Sequence, residues 1–532
     1  MKKYILPVLL LGALTSACVD DKGNYDYVNL NDYAIGGLAD SYEVLAYIDT
    51  VEIDPTVTLA NDDEAIVNDD PNLSYEWHIC YSKEIDENHS AAHQHRTLST
   101  DRVLKWGVDV PAGNYNLYCV VKDRTTQLER YSYTNVMVKS ALGKGFMLLG
   151  DVNGTPELGL DMLTMAPGRD TVMVENVYDN SERQLTGADK ILYSGWYSSA
   201  PGETMWMTTN DDSFHMISGD KFTITGDLAH EAIIDNEYGF KTPMKICDMF
   251  PKQGPGNTYS RANYCSSFRI FTTEEAVFPA SIMTDEYFVN PANRYSASSK
   301  EFFKFYPTIF YKQPSYRPYS LQFYIFDTDA QQLTRTPGAY TYTYVQAVPD
   351  GTTDNWSYNF AKQNRHLVYG QNGENPSSTS CYFIVKENDA DKYYIYNLTI
   401  PAYTWYATTK NLYEIDLAAV PGFAEASHYA FSSYRTSIFY SVGNKLYQYD
   451  YSRQQLTSVD LDGEICFLEM DYNSTGGYLH LCVATWDESA RKGTFQKFTT
   501  GTNPNSVEII ELEGQKWPTR LKIKDIDWRN SQ

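Results

Sequence analysis

Basic side chains are scarce in this chain: 43 Lys and Arg stand against 68 Asp and Glu among 532 residues, a formal net charge of −25. Such a surface repels phosphate backbones and anionic headgroups, which argues against nucleic acid as a partner. Catalytic signatures are also missing. There is no G-x-S-x-G elbow, no H-E-x-x-H, no P-loop and no sialidase-type Asp-box series. The eight cysteines show no C-x-x-C or C-x-x-H spacing, so neither a zinc knuckle nor a thioredoxin-like centre is indicated. No catalytic residue, metal or cofactor is therefore expected. Amphipathic helical stretches are lacking too, which leaves strands to build the body.

The first residues have another purpose. Lys2 and Lys3 precede an apolar run from Tyr4 to Leu14, well short of the roughly 20 residues that a membrane-spanning helix needs. Residues 1–17 read as a secretory signal. The exit Leu14-Thr15-Ser16-Ala17-Cys18 resembles a lipobox, with Thr15 where Leu is usual. Cys18 is the expected lipidation site, holding the mature chain on a membrane through an acyl anchor. The acidic stretch Val19-Asp20-Asp21-Lys22 resembles the surface-export tethers of Gram-negative lipoproteins, so an outer-membrane, cell-surface location is expected. Residues 18–40 are polar and read as a spacer.

What the chain has in excess is tyrosine, 45 residues, a side chain that favours pleated, half-buried surfaces and carries a polar tip on an apolar ring. Residues 41–140 contain short alternating runs spaced as in an Ig-like β-sandwich. In "LSYEWHIC" the residues sharing a face are Tyr75, Trp77 and Ile79, which predicts an indole in the core. In "PAGNYNLYCVVKD" the inward set is Tyr115, Leu117, Cys119 and Val121, with Tyr115 placed to form a tyrosine corner. Periodicity turns Cys80 outward and Cys119 inward, against a bond between them.

From residue 141 to 532, strand–turn–strand units such as "SLQFYIFDTDAQQLTR" and "SIFYSVGNKLYQYDYSRQQLTSVDL" recur through Gly, Asn or Asp turns. They predict a larger β-propeller-like domain of about seven or eight blades, with a long sandwich array as the structural alternative. The fold class is thus all-β. Cys466 and Cys482 flank the turn-like "YNSTGG"; a hairpin centred near Ser474 would set them opposite each other, as a disulfide or as two buried thiols.

"PNLSYEW" followed by "PAGNYNLYCVVKDRTT", with "DDKGNYDY", "IDTVEIDP", "TSIFYSVGNKLYQYD" and "LHLCVATWDESARKGTFQKF", resembles the PKD-like family of bacterial lipoproteins. Members are commonly encoded with SusC/SusD-type, TonB-dependent nutrient importers. The resemblance implies such an importer as partner. No acidic loop marks the strand ends, so the calcium of metal-binding PKD modules is not carried over.

His89, His93 and His95 are the only clustered histidines, in a connection without a completing Cys or carboxylate. Asp327 and Asp329 lack the Gly and late Glu of a calcium loop and read as a solvated hairpin. The remaining functional signal is aromatic residues in loop-like contexts, where a flat ring stacks on a sugar or caps a peptide side chain. Trp356, Tyr358, Tyr403, Trp405, Tyr406, Trp196 and Tyr316 are the expected ligand-binding residues; the alternative role for each is closing a sheet or turn. The leading expectation is a non-enzymatic surface lipoprotein that binds an oligosaccharide or peptide for an importer. The alternatives are a surface hydrolase or lyase acting on a polymer and a purely structural lid or scaffold.

Overall fold

The computed structural model describes residues 32–59, 62–82, 96–166, 168–181, 183–196, 203–219, 221–227, 238–250, 268–281, 290–311, 323–337, 343–352, 354–373, 381–399, 409–472 and 479–530. The signal segment and Cys18 lie outside them. The chain divides into two compact units, Met1–Lys139 and Ser140–Gln532. Among the described residues the only helical elements are short 3-10 turns such as Phe360–Gln363 and Phe423–Glu425, and no helix is long and apolar enough to cross a membrane. The protein is all-β.

Among the described residues the first unit contains ten strands: β1 (Tyr33–Gly36), β2 (Ser41–Leu45), β3 (Thr50–Ile53), β4 (Thr56–Leu59), β5 (Asp62–Ile66), β6 (Leu73–Tyr81), β7 (Arg96–Ser99), β8 (Leu104–Gly107), β9 (Gly113–Asp123) and β10 (Glu129–Lys139). A five-stranded sheet has the order β2-β10-β9-β6-β7; β1-β4-β5 and β3-β8 form the remaining sheets. Order begins before residue 41: β1 falls in the expected spacer but pairs antiparallel with β4, and Tyr33 is buried.

Strand periodicity accounts for the core of this unit. Tyr75, Trp77, Ile79, Tyr115, Leu117, Cys119 and Val121 all join one cluster, with Trp77 and Cys119 fully buried and directly opposite each other. The Trp77 indole N–H donates to the carbonyls of Asp101 and Arg102 at 3.1 and 3.2 Å, so its polar atom is satisfied inside the sandwich. The Tyr115 hydroxyl donates to the Pro111 carbonyl at 2.9 Å, the expected tyrosine corner. Tyr115→Phe keeps the ring and removes that bond, and is expected to cost about 1 kcal/mol in urea unfolding.

Among the described residues the second unit contains seven sheets, six four-stranded and one three-stranded. The first joins the C-terminal strand Leu521–Asn530 to Lys144–Val152, Leu158–Thr164 and Val172–Val174, so chain ends far apart in sequence share a sheet. The others follow in chain order and open with Ala188–Trp196, Asp248–Phe250, Phe305–Tyr311, Arg365–Asn372, His428–Phe431 and Glu464–Met470.

Each sheet is apolar on both faces, because alternate side chains feed two different clusters. Ile191 and Tyr193 pack with Met147 and Leu149 of the first sheet, while Leu192 packs with Phe271 of the third. The same sharing links the third sheet to the fourth through Ile270 and Ile325, the fourth to the fifth through Phe326 and Phe383, and the fifth to the sixth through Ile384 and Phe431. It continues from sixth to seventh through Phe439 and Val483, and from seventh to first through Phe495 and Phe146.

Among the described residues the opening strand of each of the six sheets after the first has one edge without a strand partner, and its N–H groups need acceptors. Side chains of neighbouring sheets supply them. Asp525 and Asp527 accept from the N–H groups of Ile191 and Tyr193 at 3.0 and 2.6 Å, Asp248 from Ile309 at 2.9 Å, Asn372 from Tyr311 at 3.0 Å, and Gln371 from Phe431 at 2.8 Å.

One turn recurs in both units. Asp123, Asp327, Asp450 and Asp487 each end a strand and accept backbone N–H bonds from residues two or three positions on. The fourth residue after each, Gln127, Gln331, Gln454 or Arg491, takes positive φ between 51° and 60°. The Asx geometry holds the tight part of the loop, and one left-handed residue returns the chain to the next strand. Asp327 is therefore a buried turn anchor, 1% exposed, that also accepts from the Tyr295 hydroxyl, and not the solvated residue expected from the sequence.

Candidate functional site

Two of the sequence-predicted ligand-binding residues are core residues. Trp356 and Tyr358 are 1% and 5% exposed and pack with Phe360, Phe383 and Tyr396. The expectation that their faces meet a ligand is corrected. Asp350 accepts from the Tyr358 N–H and the Ser357 hydroxyl, and Asp354 pairs with Lys410 at 2.6 Å. The polar neighbours that give this segment its loop-like composition therefore satisfy a folded-in chain. Trp196 ends a strand, paired with Glu203. Tyr316, Tyr403, Trp405 and Tyr406 lie outside the described residues, as do His89, His93 and His95. Among the described residues no group of three His, Cys, Asp or Glu is arranged to hold a metal.

For Cys466 and Cys482 the sequence left a disulfide and two buried thiols open, and the structure has the thiols, both free. Cys482 faces Glu469, and the register shifts between Ile465 and Phe467, so Cys466 sits in an irregularity with its Sγ 3.5 Å from the Ala484 carbonyl oxygen. Burial pushes the Cys466 thiol up to about 12.

An aromatic surface of a different origin lies on the five-stranded sheet of the first unit. Along β10, Thr134, Val136 and Val138 are buried, whereas Tyr131, Tyr133 and Met137 are 42%, 44% and 48% exposed with Asn135 exposed between them. Strand alternation places these four on one outer face. Cross-strand registry assigns their neighbours. Tyr133 lies opposite Tyr118, Asn135 opposite Asn116 and Met137 opposite Asn114 on β9. On the other side, the parallel partner β2 brings Ser41 beside Asn135 and Glu43 beside Met137.

Rigid support comes from Tyr118. Its ring is fully buried, with centroids 5.6 Å from Tyr133 and 6.0 Å from Tyr131, and burial pushes its phenol up to about 12. Two exposed rings thus rest on a third that is fixed, in the tilted and edge-on geometries that aromatic pairs prefer. Beside them a cavity of about 220 Å³ is lined by Ser41, Tyr42, Asn114, Asn135 and Met137, among others. Ser82 donates to the Asn116 amide oxygen at 2.6 Å nearby, holding that side chain. Lysines on this face are paired: Lys139 contacts Glu43 and Lys122 pairs with Glu129 at 2.8 Å, while the His78 imidazole shares a hydrogen bond with Glu76 at 3.1 Å.

None of these aromatic residues sits in a loop-like context. The signal for this surface is the run "RYSYTNVMV", in which one parity is Thr and Val and the other Tyr, Asn and Met. Aromatic residues on the parity opposite the aliphatic one are candidates for a face that the core does not cover.

A model of the PKD-like family matches residues 18–188, a span that contains this sheet. No curated protein matches the chain. Among solved structures, a quinonprotein alcohol dehydrogenase-like protein of Bacteroides thetaiotaomicron is similar over 93% of this chain and 98% of its own, at 12% identity and a TM-score of 0.33. An extracellular domain from the same bacterium is similar over 64% of this chain and 37% of its own, at 12% identity and a TM-score of 0.27. The WD40 domain of SCAP from fission yeast is similar over 70% and 90%, at 9% identity and a TM-score of 0.26. At such identities the likenesses say nothing about activity.

Proposed function

We propose that the protein is a cell-surface lipoprotein, anchored to the outer membrane through Cys18, that captures an oligosaccharide or peptide without transforming it. In this reading it is an accessory component of a SusC/SusD-type, TonB-dependent importer, and the seven sheets are the blades of a propeller serving as a rigid body. The importer partnership rests on the resemblance in the lipobox and strand motifs. The observation that carries ligand capture is the exposed Tyr131, Tyr133 and Met137 stripe beside a cavity that Ser41, Asn114 and Asn135 line together with Glu43 and apolar side chains. Recognition surfaces combine apolar rings with a few placed polar atoms in this way. A hydrolase would need a nucleophile with its base or two opposed carboxylates, and Glu129 and Glu43 on this face are each held by a lysine.

The test uses the mature chain on an array of glycans and peptides, with mass analysis of the ligand after incubation. Retention of an unaltered ligand, lost in the Tyr131→Ala/Tyr133→Ala variant, is the expected result. A ligand that is cleaved, or retention unchanged in the variant, would overturn capture at this face. Surface anchoring is checked separately by protease treatment of intact cells, with Cys18→Ser expected to release the protein from the membrane fraction.

A further inference from the structure

We infer that the ligand of this face is a neutral, unbranched oligosaccharide lying along β10, with its terminal ring in the cavity beside Met137; this rests on the capture reading above. Four observations select that class. The first is charge: the chain carries a net −25, and the ionic groups bordering the stripe are already matched to one another at the two ends of the strand. An anionic glycan would meet no available cation there, and a cationic peptide would have to displace Lys122 or Lys139.

The second is backbone access. From Asn135 to Val138, β10 lies between β2 and β9 and is paired on both sides. A peptide seated beside Met137 would find no strand edge to extend there, which removes the main-chain bonding that drives extended-peptide recognition. The third is side-chain chemistry: Ser41, Asn114 and Asn135 offer hydroxyl and amide groups that donate and accept together, as sugar hydroxyls require. The exposed rings of Tyr131 and Tyr133 offer apolar faces to the C–H side of a pyranose.

The fourth is length. Six strand steps separate Tyr131 from Met137, about 20 Å of surface and room for roughly four sugar rings. The cavity, about 220 Å³, lies below the roughly 300 to 1,000 Å³ of sites for drug-sized ligands. It is sized for one ring and not for a branch point.

Calorimetry on the mature full-length chain tests the assignment. The probes are linear neutral glucan, xylan and mannan oligomers from disaccharide to octasaccharide length, oligogalacturonates as the anionic arm, and a tryptic peptide mixture as the peptide arm. Affinity for one neutral series is expected to rise with each added ring and level off near the tetrasaccharide. Tyr131→Ala and Tyr133→Ala are each expected to weaken it about tenfold. Each ring packs on Tyr118, so a small drop in the unfolding midpoint is expected, and a midpoint scan checks that each variant is folded at the temperature of the titration. Preference for oligogalacturonates, affinity independent of chain length, or neutral binding untouched by both substitutions would overturn the assignment. Tyrosine-dependent binding of peptides alone would overturn the sugar class and leave capture standing. Binding of no probe by the wild-type chain would overturn both.

Discussion

Replacing Asp471 by alanine is expected to destabilise the second unit by about 3–5 kcal/mol, because it leaves a buried ammonium without its carboxylate. Asp471 and Lys497 are 0% and 3% exposed in their side chains and pair at 2.6 Å inside the seventh sheet. The Lys497 ammonium also lies 5.4 Å from the ring of Phe146, which belongs to the first sheet. The lysine cannot reach water without parting the packing between the last sheet and the first, whose apolar contacts join opposite ends of this unit. Desolvation and the same ammonium lower the His480 pKa, so the imidazole adds no second positive charge beside Lys497. A lower urea midpoint with an unchanged slope would show the loss. Asp471→Leu combined with Lys497→Met removes both charges and is expected to recover most of it. A single-substitution cost below about 1 kcal/mol would mean that the pair is not desolvated as the geometry requires.

Features that repeat with strand periodicity were legible in the sequence, and features set by contacts from elsewhere were not. Alternation located Trp77 in the sandwich core and Tyr115 at its corner, since a strand with one covered face has one parity to bury. The turns begun by Asp123, Asp327, Asp450 and Asp487 share a visible pattern, an Asp followed four residues later by Gln or Arg. The Cys466 pairing failed for the opposite reason. The hairpin register sets Glu469, three residues from Cys466, opposite Cys482, and that register is fixed by the turn and not by hydrophobic spacing. On β10 the alternation was visible, but which parity faces solvent depends on how the sheet packs. The Tyr131 and Tyr133 face was therefore present in the sequence as a pattern without a direction.

Trp356 is the sharpest case of local composition misleading, and its replacement carries the second large effect. In "TTDNWSYNF" the indole is surrounded by residues typical of loop tips, yet Lys410 arrives from a strand far along the chain and covers it. The Lys410 ammonium lies 3.4 Å from the Tyr358 ring centroid and 4.5 Å from that of Trp356, and burial lowers its pKa despite the Asp354 carboxylate. Beneath, Trp356 stacks on Tyr396 at 4.5 Å and 19°, and its N–H donates to the Asn411 carbonyl at 3.1 Å. Trp356→Ala removes the largest ring of that cluster, leaves a cavity and withdraws one face of the cation's aromatic seat; the expected cost is about 3–5 kcal/mol in unfolding free energy. Trp356→Phe keeps most of the ring stack and should cost less. Oligosaccharide affinity of the fraction that remains folded is expected to match wild type for both variants, because the binding face assigned here belongs to β10. A variant of normal stability that has lost its ligand would instead return Trp356 to the recognition surface and displace Tyr131 and Tyr133 from it.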